Sequence, residues 1–210
     1  MKVLVTGATG YLGSHLVRYL IKNNFEVVIL KRKTSSMKRL LGIKDFLKCY
    51  DINSFDFTTV FKEQINFDAI IHTSTCYGRK GESKKKIFEA NTLFPTKLLE
   101  TAILFKIKTF INTDTYYNVD RNISVNLNNY ILSKKKFLDN VKVHSLKKKI
   151  KFINLRLEHV YGPKDSETKF VNWLVSSLSK RNKKINLTKC EQKRDFIFID
   201  DVVKAFVIVL

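Results

Sequence analysis

Tyr130 and Lys134 are two side chains whose types and spacing suit proton transfer. They are four residues apart, and residues at i and i+4 of a helix lie on one face. Because an ammonium favours a neighbouring phenolate, we expect Lys134 to lower the pKa of Tyr130 and make it a proton donor or acceptor near neutral pH. Tyrosines and lysines are so common here that the spacing alone proves nothing. The pair has meaning because it lies on a predicted helix that follows a predicted fifth strand.

A second chemical signal lies near the start of the chain, where the short apolar strand from Lys2 to Thr6 runs into three glycines and an amphipathic helix. Gly7 suits a tight turn, Gly10 leaves room for a pyrophosphate, and Gly13 lets the helix pack closely on the strand. The unpaired N–H groups of the helix N-terminus then face the phosphates. The alternative is a glycine turn between two core elements that binds nothing.

The second predicted strand, Phe25 to Leu30, ends in the cations Lys31, Arg32 and Lys33. In dinucleotide folds an acidic residue here accepts the ribose 2′-OH of NAD, whereas basic residues suit the 2′-phosphate of NADP. We therefore expect NADPH as the cofactor, with Arg32 as the contact because its planar fork matches a phosphate. NAD is the alternative, since the three cations are also typical of a basic surface loop in a lysine-rich protein.

Further apolar runs predict strands at residues 45–50, 68–73, 108–112 and 150–157, separated by helical patterns. Strands that alternate with helices over about 160 residues predict an α/β fold, a Rossmann doubly wound parallel sheet with ligands at its carboxyl edge. Pro95 lies within a predicted helix from Glu82 to Phe105. We therefore expect a kink near Asn91.

Thr6 to Gly13 match in full the T-G-x-x-G-x-x-G nucleotide loop of the extended short-chain dehydrogenase/reductases, the NAD-dependent epimerase/dehydratase family, which the whole chain resembles. The resemblance implies cofactor contacts from the glycine loop, from the ends of strands two, three and four, and from the tyrosine–lysine pair. These residues are Gly7, Thr9, Gly10, Tyr11, Leu12, Gly13, Lys31, Arg32, Asp51, Ile52, Thr73, Tyr130 and Lys134. A helix N-cap is an equally good explanation of Asp51.

The resemblance also implies catalytic roles. Thr115 best matches the family's serine or threonine that hydrogen-bonds the reacting oxygen, although a turn-forming hydroxyl is the alternative. Lys134 is implied to bond the nicotinamide ribose, and Asn91 to help a proton relay. The expected substrate contacts are His159, Lys169, Phe170 and Arg194. His159 stands where the family has asparagine, and the guanidinium of Arg194 suits the diphosphate of a sugar nucleotide.

The triplet Thr113-Asp114-Thr115 bears on the reaction. The family's nucleotide-sugar 4,6-dehydratases typically have Asp followed by Glu here, and Thr115 in place of the Glu disfavours dehydration. The chain is more similar to nucleotide-sugar C4 reductases. We expect NADPH-dependent reduction of the C4 ketone of a nucleotide-linked deoxysugar of the CDP-4-keto-3,6-dideoxyhexose type, for surface polysaccharide synthesis. The alternatives are a nucleotide-sugar 4-epimerase and a non-catalytic protein that binds NADP or nucleic acid.

A formal net charge of +20 makes nucleic acid a hypothesis. The lysine runs, however, lie on or beside predicted helices without a known nucleic-acid module, so we expect solvated helix faces and no nucleic-acid partner. The three cysteines form no C-x-x-C pair, and we expect neither a disulfide framework nor a metal site. No apolar run has the length of a membrane span, so we expect a cytoplasmic protein with no membrane partner. The resemblance implies a homodimer.

Family members continue beyond the helix that contains Asp200 and Asp201, into a lobe that closes over the substrate. This sequence ends at Leu210, inside an apolar helical pattern. We therefore assign residues 1–161 to an NADP-binding Rossmann domain and 162–210 to the beginning of a truncated substrate-binding lobe. We expect substrate affinity to suffer, and activity of this chain is a separate question from its ancestry.

Overall fold

A parallel sheet forms the centre of the fold in the computed structural model, which describes residues 1–52, 55–118, 127–143, 149–180 and 184–210. Six strands follow the order β3-β2-β1-β4-β5-β6, and each adjacent pair is parallel. The strands are β1 Lys2–Thr6, β2 Glu26–Lys31, β3 Leu47–Asp51, β4 Ala69–His72, β5 Thr109–Thr115 and β6 Lys151–Leu157. The strand order reverses between β1 and β4, and the carboxyl edge at such a point is where open α/β sheets bind ligands.

Helices cover both faces of this sheet. On one face lie α1 Tyr11–Lys22 and α7 Ile199–Ile208, and on the other α2 Thr58–Glu63, α4 Phe94–Leu104 and α5 Asn128–Val143. Because side chains alternate along a strand, Val3 and Val5 pack towards α1 whereas Leu4 packs towards α4 and α5. Among the described residues, no helix is both long enough and apolar enough to cross a bilayer.

A second sheet has two parallel strands, β7 His159–Tyr161 and β8 Phe196–Phe198. Helix α6 Phe170–Ser179 lies between them in sequence, and α7 follows β8 directly. Val202 and Phe206 of α7 are fully buried in the core that also contains Val3 of β1. The last helix of residues 162–210 therefore packs on the large sheet.

The predicted doubly wound sheet is confirmed, with shifted element ends. β3 begins at Leu47 rather than at residue 45, because residues 44–46 form a 3-10 turn. β5 extends to Thr115, so the triplet that includes Asp114 ends this strand instead of following it.

The helix predicted over residues 82–105 is divided into three parts. α3 Lys84–Phe88 is followed by the π-helical segment Glu89–Leu93 and then by α4. Pro95 has no N–H to donate to the carbonyl of Asn91, which accounts for a wider turn at the expected irregularity.

Candidate active site

The glycine loop joins β1 to α1 with no room for side chains. Gly7 has φ +72°, and a Cβ there would lie 2.6 Å from the backbone nitrogen of Ser74. A Cβ on Gly13 would lie 2.2 Å from the carbonyl oxygen of Gly7. Gly10 caps α1 without a side-chain hydrogen bond, and the first turn contains no acidic residue. The loop therefore presents first-turn N–H groups at a position that fits the diphosphate of a dinucleotide.

Two cations flank this loop. Arg39 and Lys169 lie over the ring of Tyr11, with 5.6 and 5.2 Å from charge to ring centre. Burial raises the pKa of Tyr11 to about 12, so its phenol stays neutral. Tyr11 and Leu12 begin α1 and are half-buried, as is Thr9 in the turn. Lys169 is paired with the Asp165 carboxylate at 2.8 Å, so Arg39 is the cation beside the predicted diphosphate site that has no carboxylate partner among the described residues.

The three cations predicted at the end of β2 differ in their contacts. Lys31 and Asp51 are register partners, and their side chains form an ion pair. Arg32 is exposed, and its side chain makes no ion pair or hydrogen bond within the described part of the chain. Asp51 and Ile52 line a cavity of about 250 Å³ with Leu30, Tyr50, Asp56, Phe57, Thr59 and Val60. Sequence reasoning missed the ion pair because its partners are twenty residues apart.

Thr73 and Asn91 hold the chain around the end of β4. The Thr73 hydroxyl donates to the carbonyl oxygen of Thr6 at 2.8 Å, beside the glycine loop. The Asn91 amide accepts from the Cys76 N–H at 2.8 Å and donates to the Cys76 carbonyl at 2.7 Å and to the Ser133 hydroxyl at 3.0 Å. Asn91 is fully buried, so these contacts connect the loop after β4 to helix α5.

The catalytic residues predicted from the sequence meet at the carboxyl end of β5. The Thr115 hydroxyl is hydrogen-bonded to the Tyr130 phenol. The ammonium of Lys134, one turn along α5, donates to the carbonyl oxygen of Thr113 at 2.9 Å. Thr115, Tyr130 and Lys134 are all buried. The structure thus brings a hydroxyl, a phenol and an ammonium together beside the sheet edge.

The expectation that the pKa of Tyr130 is lowered is wrong. Burial raises the pKa of Tyr130, the neighbouring Tyr77 raises it further, and the hydrogen bond from Thr115 acts in the opposite direction. Burial also lowers the pKa of Lys134 to about 8, against the opposing effect of the Asp114 carboxylate. Burial is thus the largest effect at both groups, and the Tyr130 phenol is protonated near neutral pH.

Sequence reasoning missed Tyr77 and Arg79 as neighbours of this group, and it gave Thr113 no role of its own. The Tyr77 ring lies 4.9 Å from the Tyr130 ring, and Arg79 lies over Tyr77 at 5.2 Å. The Thr113 hydroxyl is buried with no hydrogen-bond partner among the described residues. Thr113 and Thr115 are two residues apart on a strand, and such residues share a face. That spacing was the one available signal that Thr113 could serve as a second hydroxyl.

The predicted substrate residues surround the small sheet. His159 accepts or donates a hydrogen bond with the Tyr116 hydroxyl at 3.0 Å, and burial together with Arg194 lowers its pKa. The Phe170 ring lies 6.3 Å from the Phe196 ring, and half of Phe170 is exposed. Arg194 is exposed. Lys169 instead lies towards the glycine loop.

Metal ligands are not grouped in the described residues, where no cluster of three or more His, Cys, Asp or Glu side chains could hold an ion.

Comparison with known proteins agrees with this geometry. The profile of the NAD-dependent epimerase/dehydratase family matches residues 3–210. CDP-abequose synthase of Salmonella muenchen is 35% identical over all of this chain and 70% of its own length. A putative UDP-glucose 4-epimerase of Methanocaldococcus jannaschii is 28% identical over 97% of this chain and 71% of its own.

Among solved structures, UDP-glucuronic acid 4-epimerase of Bacillus cereus in complex with UDP-glucuronic acid and NAD has the same fold. It superposes with a TM-score of 0.78 at 24% identity, over all of this chain and 73% of its own. The chain therefore belongs to the NAD-dependent epimerase/dehydratase family and is an NAD(P)-dependent enzyme.

Proposed function

We propose that this enzyme reduces the C4 ketone of a nucleotide-activated deoxysugar of the CDP-4-keto-3,6-dideoxyhexose type, with NADPH as the reductant. The observation that carries the proposal is the buried contact between Thr115 and Tyr130, with Lys134 one turn away. The 35% identity to a CDP-abequose synthase supports the substrate class.

Each residue has a task in this reduction. A bound reduced nicotinamide supplies a hydride to the carbonyl carbon. Tyr130 donates its phenolic proton to the carbonyl oxygen, which becomes the C4 hydroxyl, and solvent water returns a proton to the phenolate. Thr115 donates a hydrogen bond that polarises the carbonyl, and the ammonium of Lys134 stabilises the transient phenolate. The raised pKa of Tyr130 suits a proton donor, because the phenol keeps its proton until the oxygen gains charge.

NADPH is favoured over NADH by the charges at the end of β2. Asp51 neutralises Lys31, which leaves Arg32 and Lys33 exposed for a 2′-phosphate. The cavity beside Asp51 and Ile52 is the place that we propose for the adenine. The glycine loop, Thr73 and Lys134 hold the diphosphate and the nicotinamide end.

The substrate contacts that we propose are His159, Lys169, Phe170 and Arg194. Exposed aromatic rings at Phe170 and Phe196 suit stacking on a nucleotide base, and the guanidinium of Arg194 suits a diphosphate. Residues 162–210 begin the substrate lobe in this proposal, after residues 1–161 that bind the cofactor.

A homodimer is the assembly that we propose. Leu104 at the end of α4 and Leu132 of α5 are 74% and 53% exposed, on helices that cover one face of the sheet. Burial of such side chains in a partner would stabilise a dimer. Sedimentation equilibrium would measure the mass, and a monomer at all concentrations would contradict this assembly.

Turnover of CDP-4-keto-3,6-dideoxyglucose with NADPH tests the proposed reaction. Tyr130→Phe should lower the rate by about 10² to 10⁴-fold, because the ring stays while the acid is lost. The control Tyr19→Phe removes a hydroxyl from α1, on the opposite face of the sheet, and should keep the rate. A Tyr130→Phe enzyme that turns over at the unaltered rate would refute the assignment.

A nucleotide-sugar 4-epimerase is the second candidate, favoured by the similarity to the Methanocaldococcus jannaschii relative. An epimerase would interconvert C4 isomers of a sugar nucleotide with no net consumption of NADPH. Product formation equal to NADPH consumed therefore separates the two reactions. A protein that binds NADPH and turns over neither substrate would be the non-catalytic alternative.

A further inference from the structure

A row of polar side chains crosses the sheet just below its carboxyl edge. Thr6, His72, Asn112 and Asn154 are register partners on β1, β4, β5 and β6. Each lies two residues after an apolar residue that packs towards α4 and α5 (Leu4, Ile70, Phe110 and Phe152), so the row lies on the same face, which α5 covers. Thr6, His72 and Asn112 are buried, whereas Asn154 on β6 is exposed. Buried polar groups of this kind are costly unless they are hydrogen-bonded.

Hydrogen bonds join Thr6 to His72 and Asn112 to Asn154, and the second pair ends at a carboxylate. His72 Nε2 and Asn112 Oδ1 are buried with no partner among the described residues. The Thr6 hydroxyl and the Nδ1 atom of His72 are 2.7 Å apart. The Asn112 amide donates to Asn154 Oδ1 at 2.7 Å, and the Asn154 amide donates to Asp114 Oδ2 at 2.9 Å. The other oxygen, Asp114 Oδ1, accepts from the Asn118 amide. Both oxygens of a buried carboxylate thus accept an amide hydrogen bond, which holds the charged group in one orientation.

Lys134 of α5 interacts electrostatically with this carboxylate, which belongs to β5. It is fully buried, and its hydrogen bond to the carbonyl of Thr113 fixes it beside the residue that precedes Asp114. Asp114 of β5 and His72 of β4 interact electrostatically with Lys134, and Tyr130 lies one turn before it on its own helix. Burial together with the Lys134 charge holds the pKa of His72 well below its usual range, so His72 is neutral. Asp114 is therefore the compensating negative charge among these groups.

We propose that Asp114 is a positioning residue that keeps Lys134 in its ammonium form, and that Asn154 orients the Asp114 carboxylate for this task. The inference deepens the proposed function, since a charged Lys134 is what stabilises the Tyr130 phenolate during reduction. The polar row gives the reason for a buried aspartate here. Its amide donors hold a negative charge near the ammonium without a direct ion pair that would draw Lys134 away from the phenol.

The titration of Lys134 tests the proposal without any turnover. Lysine labelled with ¹³C at Cε would be followed by NMR in the whole chain, and the Lys134 signal assigned as the one absent from Lys134→Met. In Asp114→Asn the midpoint should fall by about one pH unit or more, because the compensating charge is lost while the size is kept. An unchanged midpoint would overturn the proposal.

A second variant protects this test against misfolding of Asp114→Asn. Asn154 is exposed, so Asn154→Ala leaves no buried cavity, and it should lower the Lys134 midpoint by a smaller amount because Asp114 loses one of its two amide donors. Asn140→Ala on α5 is the matched control, since the Asn140 amide donates to Thr96 instead. No change in Asn154→Ala, or an equal change in Asn140→Ala, would overturn the positioning role. Failure of NADPH turnover would refute the proposed function and leave this titration result unaltered.

Discussion

Two lysine–aspartate neighbours lie at the carboxyl edge of the same sheet, and they are built in opposite ways. Lys31 and Asp51, at the ends of β2 and β3, form an ion pair in which the Lys31 side chain is 16% and the Asp51 side chain 42% exposed. Lys134 and Asp114 are both buried, and the described contacts contain no direct bond between them. The ammonium donates to a carbonyl, and the carboxylate accepts from two amides.

The difference shows how burial changes what a charge can do. Solvent reaches the Asp51 carboxylate and screens this partly exposed pair, and Asp51 cancels much of the field of Lys31. Around Lys134 the local dielectric constant is low, so the electrostatic attraction between its ammonium and the Asp114 carboxylate is strong although the two groups form no direct bond. We therefore expect the exposed pair to adjust cofactor selection and the buried pair to control the chemistry.

The same substitution at both lysines gives the largest contrast. Lys134→Met should lower the NADPH-dependent reduction rate by about 100-fold, because the phenolate loses its ammonium. Lys31→Met should change the maximal rate by no more than about twofold, because its charge is already paired with the partly exposed Asp51. Rates at saturating substrate and cofactor would measure both. Equal losses of the maximal rate in the two variants would contradict the different roles assigned to the two lysines.

The pH dependence of stability sharpens the comparison further. The pKa of Lys134, about 8 against the usual 10.5, is lower in the folded chain. Between those values the unfolded chain holds a proton that the folded chain has released, so the contribution of Lys134 to the free energy of unfolding rises with pH across this window. The free energy of unfolding rises by at most about 3 kcal/mol across this window. Below the window Lys134 is charged in both states, so its contribution does not change with pH.

Urea unfolding at pH values below, within and above this window would measure the effect. Relative to Lys134→Met, the unaltered chain should gain stability as the pH increases. The exposed site is the control, because the difference from Lys31→Met should stay constant. If the difference in free energy of unfolding from the unaltered chain depended on pH in the same way for both variants, the lowered pKa of Lys134 would be contradicted.

Cofactor preference is the smallest expected effect. It distinguishes the contribution of Arg32 to NADPH binding from that of Lys31. Arg32→Ala should weaken NADPH binding by about tenfold and leave NADH binding unchanged, because one charge-assisted contact to the 2′-phosphate is lost. Lys31→Ala should change the NADPH to NADH preference by about twofold, since Asp51 already neutralises this lysine. Fluorescence titrations with both cofactors would measure the ratios. A larger loss from Lys31→Ala would contradict the ordering.

Local patterns account for the parts of the molecule that sequence predicted. The glycine loop, the buried strands and the helix with Tyr130 and Lys134 each depend on residues close in the chain, such as a four-residue spacing on one helical turn. The sheet follows from alternating strands and helices. Pro95 likewise marked the irregular turn at Asn91 before α4.

The parts that sequence did not predict depend on residues far apart. Asn112 and Asn154 are 42 positions apart and meet because β5 and β6 pair in one register. His159 and Phe196, which pair between β7 and β8, are 37 positions apart. The predicted direction of the Tyr130 pKa shift was wrong for the same reason. The four-residue spacing predicts Lys134 near Tyr130, whereas the depth at which Tyr130 is buried depends on the packed fold.

The most direct test of the central claim follows the hydride itself. NADPH deuterated at both C4 positions of its nicotinamide would be incubated with the enzyme and CDP-4-keto-3,6-dideoxyglucose, and the sugar product analysed by mass spectrometry and NMR. The account predicts one deuterium on C4 of the sugar for each NADPH oxidised, and loss of this product in Tyr130→Phe. A C4-altered sugar that contains no deuterium would contradict it.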